Sequence, residues 1–339
     1  MGPCRERSGS VRLHLLLAIQ VGVIMVLTLL LLRKETSTAE QSFLTDLQQH
    51  LPQPTHRQGK RYAVLAFGLT RSTNWTLPSI EKHLFKPIRD AGGSHDLFLH
   101  TFTLDVLNND WSGEHVTYTH QDDYKLLKPT RFLVTPEAQF DLTTQNLSDL
   151  THYPWQADFR ESTIRNLYRT NYSLQLAWAL MLGHSVEHNI TYDGFIATRS
   201  DVAFLNPVDV SSRVLAPYSL FVPEIFGYKG YNDRFAFGDL YGMGVYASRQ
   251  VTYAKCGVEW MAGINPEHLL RLHLEEHNVN VTTTDLKIVR VRATGVLGRD
   301  EKKLAQYACA SGYQYACGWR CGNNGNDFRC PYNNKFLNK

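Results

Sequence analysis

The sequence predicts an α/β protein: a mostly parallel sheet sandwiched by helices, with an N-terminal transmembrane helix and a small Cys-rich C-terminal tail. Three observations predict it. From Tyr62 to Ala293, short apolar runs alternate with helix-patterned segments, as parallel strands joined by crossover helices do. The stretch Leu13 to Leu32 is apolar and carries no formal charge. Four of the six cysteines lie in the last thirty-odd residues.

Composition bounds the function. The 339 residues are 43% hydrophobic and 20% charged, which excludes wholesale disorder. Lys plus Arg number 35 and Asp plus Glu 32, a net charge of +3. That near balance argues against a nucleic-acid partner bound through bulk charge.

The elements follow in order. Residues 1–12 read as a cytosolic tail and 13–32 as a signal-anchor, because twenty helical residues span roughly 30 Å, one bilayer core. Arg5, Arg7 and Arg12 before the span favour a cytosolic N-terminus, against Arg33 and Lys34 behind it. A cleaved signal peptide is the alternative, with Ser37-Thr38-Ala39 as a small-residue site. Residues 33–60 read as a stem, in which Pro52 and Pro54 end a short amphipathic segment. Phe43, Leu44, Leu47 and Leu51 fall at helical spacing there, so a dimerising stem helix, and with it a homodimer, is the sharper alternative.

Residues 61–300 form the expected catalytic domain. Tyr62 to Gly68 is an apolar strand ending at glycine. Ile80, Leu84 and Ile88 mark a helix, and His95 to Phe102 is a second strand, together a βαβ unit. Asp105 to about Arg160 is polar, aromatic and irregular, with Arg131 to Val134 as a short strand. A helix over Tyr172 to Glu187 leads to the strand Gly194 to Asp201. A strand over Ser219 to Glu224, helices near Tyr241 to Arg249 and Pro266 to His277, and a strand from Lys287 to Ala293 complete the domain. His268, His273 and His277 read as helix-surface histidines, and Arg290 and Arg292 as one face of a solvated edge strand.

Two signals point to an oxidising, lumenal compartment. N-x-S/T sequons occur at Asn74, Asn146, Asn171, Asn189 and Asn280. In the tail, 301–339, Cys309, Cys317, Cys321 and Cys330 are spaced C-x7-C-x3-C-x8-C, without the C-x2-C knuckle of a zinc site. They read as disulfide candidates of open connectivity.

Three loops could hold chemistry, because ligands of open α/β sheets bind beyond the carboxyl ends of strands. In the first, Gly68 allows close backbone approach, and Thr70, Arg71 and Ser72 can grip phosphate or ribose. Neither a G-x-G-x-x-G nor a P-loop pattern is present. In the second, Asp201 leaves an apolar strand beside Arg199. It could ligate a divalent cation bridging a diphosphate, with Arg199 balancing phosphate charge, or the two could pair internally. In the third, Asp233 follows Asn232 in a turn before an aromatic strand and could act as a general base or as a metal-facing carboxylate.

The pattern RNLYRTNYSLQLAWAL, YDGFIATRSDVAFLNP, LFVPE and NDRFAFGDLYGMGVYASR resembles a group of membrane-anchored glycosyltransferases with a GT-A-like fold. Matching positions are Asn166, Arg169, Tyr172, Ser173, Leu174, Tyr192, Asp193, Arg199, Asp201, Asn232, Asp233, Phe235, Ala236 and Gly238. The resemblance implies a hexosyl- or pentosyl-transferase that moves a sugar from a nucleotide-sugar donor to a glycan or glycoprotein acceptor. It places the first loop, with Gly68, Thr70 and Arg71, on the donor, beside the phosphate role already read for Arg199, and Asp201 near the position of a Mn or Mg ligand; an inverting enzyme of this fold would use Asp233 as base, with Glu224 second. The sequence departs from the family pattern in having no D-x-D. With the anchor, the implied location is the Golgi membrane, as a type II protein. A non-catalytic, lectin-like lumenal module is the main rival, carried by the Cys-rich tail and by Trp111, Trp155 and Trp178. A sulfotransferase would need a basic phosphosulfate loop that Gly68 to Ser72 does not supply.

Overall fold

A computed structural model describes residues 59–109, 114–117, 121–143, 161–250, 265–295, 297 and 304. The expected span at 13–32, nearly all of the stem at 33–60, Asn146 and every cysteine lie outside these residues. Among the described residues, no helix is long and apolar enough to cross a membrane.

Strand β1 (Arg61–Phe67) is followed by α1 (Thr73–Ile80), a π-helical turn (Glu81–Phe85) and α2 (Lys86–Asp90). Strand β2 (Ser94–Thr103) then pairs in parallel with β1, Arg61 level with Ser94 and Ala66 with Leu99. Pro87 has no N–H, so the carbonyl of His83 loses its helical donor. The N–H of Val208 fills the vacancy at 2.7 Å and ties this helical run to the other half of the chain.

A hairpin, β3 (Val106–Asn109) and β4 (Glu114–Thr117), and a 3-10 turn (Asp123–Leu127) lead to β5 (Arg131–Pro136), which adds to β2 in parallel. Next come α3 (Glu137–Thr143) and α4 (Glu161–His188). Helix α4 starts well before the predicted Tyr172. Its first turns lack an apolar stripe because Arg169 makes ion pairs instead, with Asp141 and with Glu137 at 3.2 Å. Strand β6 (Gly194–Arg199) returns to the free side of β1, also in parallel. Beyond it lie β7 (Val202–Phe204), β8 (Ser219–Pro223), β9 (Phe235–Gly238), α5 (Leu240–Ser248), α6 (Pro266–Glu276), β10 (Asn280–Thr284) and β11 (Ile288–Arg290).

The seven-stranded sheet runs β5-β2-β1-β6-β9-β8-β10. Only β9 is antiparallel to its neighbours. The architecture is therefore mixed α/β with a mostly parallel sheet flanked by helices, as the sequence predicts. The order reverses between β1 and β6: β1 leads outward to β2 and β5, and β6 starts the other half. Helices cover both faces. Ala63, Leu65 and Phe67 pack toward α4, α5 and α6, whereas Tyr62, Val64 and Ala66 face the α1–α2 side. Burial on both faces explains why β1 reads as a continuous apolar run rather than an alternating one.

The motif G-D-L-Y-G builds the start of α5. Asp239 caps it, its Oδ1 accepting from the N–H of Gly242 at 2.9 Å and its Oδ2 from the N–H of Tyr218 at 2.9 Å. A side chain at Gly238 or Gly242 would put its Cβ 2.6 Å from the carbonyl oxygen of Ser219. The chain therefore needs glycine at both positions.

Two sequence expectations are corrected. The strand that leads through Arg290 to Arg292 is an edge strand but not a solvated one. β11 pairs with β7, and Val289 and Val291 join Ala203, Leu205 and Leu297 in a third small core that also buries Arg292. His273 and His277 are buried, not on the surface. His273 Nε2 meets the carbonyl of Val245 at 2.9 Å, and His277 Nδ1 meets that of His273 at 2.8 Å. With Glu276 they bring possible ligand atoms within 4.8 Å of one another. This group sits at the far end of α6 from the site described next.

Candidate active site

The crevice outside the carboxyl ends of strands flanking a sheet's switch point is where α/β proteins bind ligands. Here that place is set by register. Phe67, the last residue of β1, is level with Arg199, the last of β6. The loops 68–72 and 200–201 therefore leave the sheet side by side.

Gly68 turns with φ of +86°, and a Cβ there would meet nothing within 4 Å. Its N–H donates to Ser173 Oγ at 2.8 Å. Ser173 in turn donates to the carbonyl of His100 and contacts His100 Nδ1, while His100 Nε2 meets Thr135 Oγ1 at 2.9 Å. Burial keeps His100 neutral and lowers its pKa from 6.5 to about 3. Below pH 6.5 an unfolded chain takes up a proton there that the folded chain refuses, so stability falls as pH drops toward 3. We expect His100→Asn to flatten this acid limb by up to ~1.4 kcal/mol per pH unit. Denaturant midpoints between pH 7 and 4 test it; parallel slopes for both proteins would contradict it.

The other loop hydroxyls turn inward, contrary to their expected role on phosphate. Thr70 is buried with its Oγ1 3.4 Å from that of Thr101, and Ser72 donates to the carbonyl of Val291 at 2.6 Å. Ser200 donates to the carbonyl of Leu69 at 2.8 Å, and Thr76 to that of Ser200 at 2.6 Å. These bonds knit the two loops together and leave Arg71 as the loop's charged group.

Asp201 lies in this knot with 2% of its surface exposed. Arg199 grips it in a fork, Nε on Oδ1 at 2.8 Å and Nη2 on Oδ2 at 2.7 Å. Arg71 Nη2 reaches Oδ2 at 3.3 Å. Burial alone would raise the pKa of Asp201, but Arg199, Arg71 and Arg290 outweigh it and hold the carboxyl well below its usual range. Arg71 Nη2 also meets Glu114 Oε2 at 3.5 Å, as does Arg292 Nη1, and Glu114 Oε1 accepts from the N–H of Ala293 at 3.0 Å. The nitrogen Nε of Arg71 is buried with no hydrogen-bond partner.

A divalent cation does not fit this donor set. Both oxygens of Asp201 face guanidinium groups, and no D-x-D supplies a second carboxylate. Unit charges ~4 Å apart near a protein surface interact by about 4 kcal/mol, and a divalent ion doubles its repulsion from each arginine.

Beside the arginines stands an acidic pair. Asn232 shapes the turn before β9: its Nδ2 donates to the carbonyl of Ile225 at 2.8 Å, and its Oδ1 accepts from the N–H of Arg234 at 2.9 Å. This presents Asp233, whose carbonyl accepts from Arg249 Nη2 at 3.0 Å and whose Oδ1 lies 3.9 Å from Arg234 Nε. The N–H of Arg199 donates to the carbonyl of Arg234 at 3.1 Å, which sets Asp233 close to the arginine cluster. Glu267, in the first turn of α6, is the partner the sequence reading missed. Burial, and next the charge of Asp233, raise its pKa well above the usual range. Glu224 stands exposed at the end of β8.

Of the described sequons, Asn189 and Asn280 are exposed and Asn74 is half-buried beside the first loop. Asn171 is a correction. It is buried, and its Oδ1 accepts from Arg249 Nε at 2.8 Å, which leaves no room for a glycan.

Residues 174–293, about a third of the chain, match a domain of unknown function (DUF7796). No curated protein matches the sequence. Among solved structures, mouse xyloside xylosyltransferase 1 in its apo form is similar at 8% identity and a TM-score of 0.36, over 66% of this chain and 85% of that one. The glycosyltransferase GlyE of Streptococcus pneumoniae TIGR4 is similar at 10% identity and a TM-score of 0.33, over 77% of this chain and 52% of that one.

Proposed function

We propose that this protein is a glycosyltransferase that moves a sugar from a nucleotide-sugar donor to a glycan or glycoprotein acceptor in the secretory pathway. In this reading residues 13–32 anchor it as a single-span type II protein, with residues 61–300 as the catalytic domain in the Golgi lumen. The observation that carries the reading is the pairing of buried Arg71 and half-buried Arg199 with an acidic pair at the switch point of a mostly parallel sheet. Such a place suits an anionic leaving group and a base for the attacking hydroxyl.

The chemistry divides among this chain's residues. Arg71 and Arg199 hold the diphosphate. An acceptor hydroxyl attacks the anomeric carbon, a new C–O bond forms, and the bond to the diphosphate breaks with its electron pair leaving on the nucleoside diphosphate. Asp233 takes the hydroxyl proton. Glu267, protonated beside it, adds no second negative charge to the pair.

The test screens the purified full chain against a panel of nucleotide sugars, reading release of nucleoside diphosphate and thermal stability. We expect turnover of one donor. A nucleotide at a hundred times its Kd should stabilise the fold by about 2.7 kcal/mol. A chain that neither cleaves a donor nor gains stability from UDP or GDP would instead be the non-catalytic glycan-binding module.

A further inference from the structure

We infer that the donor diphosphate is bound by the arginine cluster without a divalent cation, an inference that rests on the transferase reading above. Three guanidinium groups, Arg71, Arg199 and Arg292, are linked by direct ion pairs to two buried carboxylates, Asp201 and Glu114. Arg290 adds a fourth guanidinium close enough to bias Asp201. A diphosphate is attracted to these guanidinium groups, whereas a divalent ion is repelled by each of them.

The polar inventory points the same way. Arg71 is 5% exposed, and its Nε has no acceptor. A buried N–H without a partner is costly, and an anionic oxygen would satisfy it with a charge-assisted bond. A cation offers that N–H nothing. The arginines, in this account, take over the charge neutralisation that a metal supplies in a D-x-D site. Asp201 then has a different task from the one its position suggests. It orients Arg199 and Arg71 by holding one end of each fork, as a positioning residue rather than a metal ligand.

Isothermal titration of the full chain with UDP and GDP, each in EDTA and in manganese, tests the inference. We expect one nucleoside diphosphate to bind with a Kd that differs less than tenfold between the two conditions. Arg71→Lys should weaken that nucleoside diphosphate at least tenfold and leave the matching nucleoside unchanged, a contrast that a merely misfolded variant would not give. A tenfold or greater loss of affinity in EDTA would overturn the inference while leaving the transferase reading in place. So would an Arg71→Lys variant that binds the diphosphate as well as the parent does. Failure of both nucleotides to bind in either condition would instead overturn the transferase reading, and this inference with it.

Discussion

Asp201→Ala should destabilise the fold by about 3–5 kcal/mol, because it strands buried guanidinium groups without their counter-charge. In a domain of this size that lowers Tm by roughly 6–20 °C. The expectation differs from the simplest reading of a strand-end aspartate, in which alanine removes activity and leaves the fold intact. The reason is the burial of Asp201 and its two arginine partners. Activity loss in this variant would therefore say little about chemistry. The informative comparison is the double variant Arg199→Leu with Asp201→Leu, which removes both charges of the fork. It should recover part of the lost stability while still failing to bind a nucleoside diphosphate tightly. Calorimetry and titration measure the two effects separately. An Asp201→Ala protein that melts with the parent would refute the structural role given to this carboxylate.

Asp233→Asn should act in the opposite way. Among the described residues its carboxylate makes one long ion-pair contact, to Arg234 at 3.9 Å, and the turn around it is held by Asn232 and by main-chain bonds. The amide keeps the shape and loses the base. We expect transfer to fall by roughly 10²–10⁴-fold, the usual contribution of a positioned general base. Tm should move by no more than about 2 °C, the shift of less than ~1 kcal/mol. Donor affinity should be unchanged, because the diphosphate is held elsewhere. If the asparagine variant turns over at the parent rate, Asp233 is not the base, and Glu224 becomes the candidate.

The parts of the site that follow apolar strands were legible in the sequence. Arg71, Arg199 and Asp201 stand directly after runs of buried residues, where polar groups are conspicuous and where α/β sheets place their ligands. Asp233 was legible from the turn before an aromatic strand. Glu114 was hidden because it lies in a polar, irregular stretch whose pairing is a four-residue hairpin. Glu267 was hidden by ordinary helix chemistry: an acid in the first turn after Pro266 looks like a partner for the helix dipole. Arg290 and Arg292 were misread because what buries their strand is β7, three residues long and too short to show a period. β10 was missed as well. Its threonine-rich edge is half exposed and carries no apolar alternation.

One residue near the end of the domain closes the site. Val291 accepts from Ser72 Oγ at 2.6 Å through its carbonyl, and its N–H donates to the carbonyl of Asp201 at 2.8 Å. The clasp thus joins segments separated by more than two hundred residues of chain. A ribosome delivers those segments far apart in time, and loops so distant in sequence meet only after slow closure. A nascent chain stopped short of Val291 has the whole seven-stranded sheet but no fastened pocket. In the proposed function, competence to grip an anion is therefore acquired after the sheet, so that ligand capture would report closure of the site during synthesis.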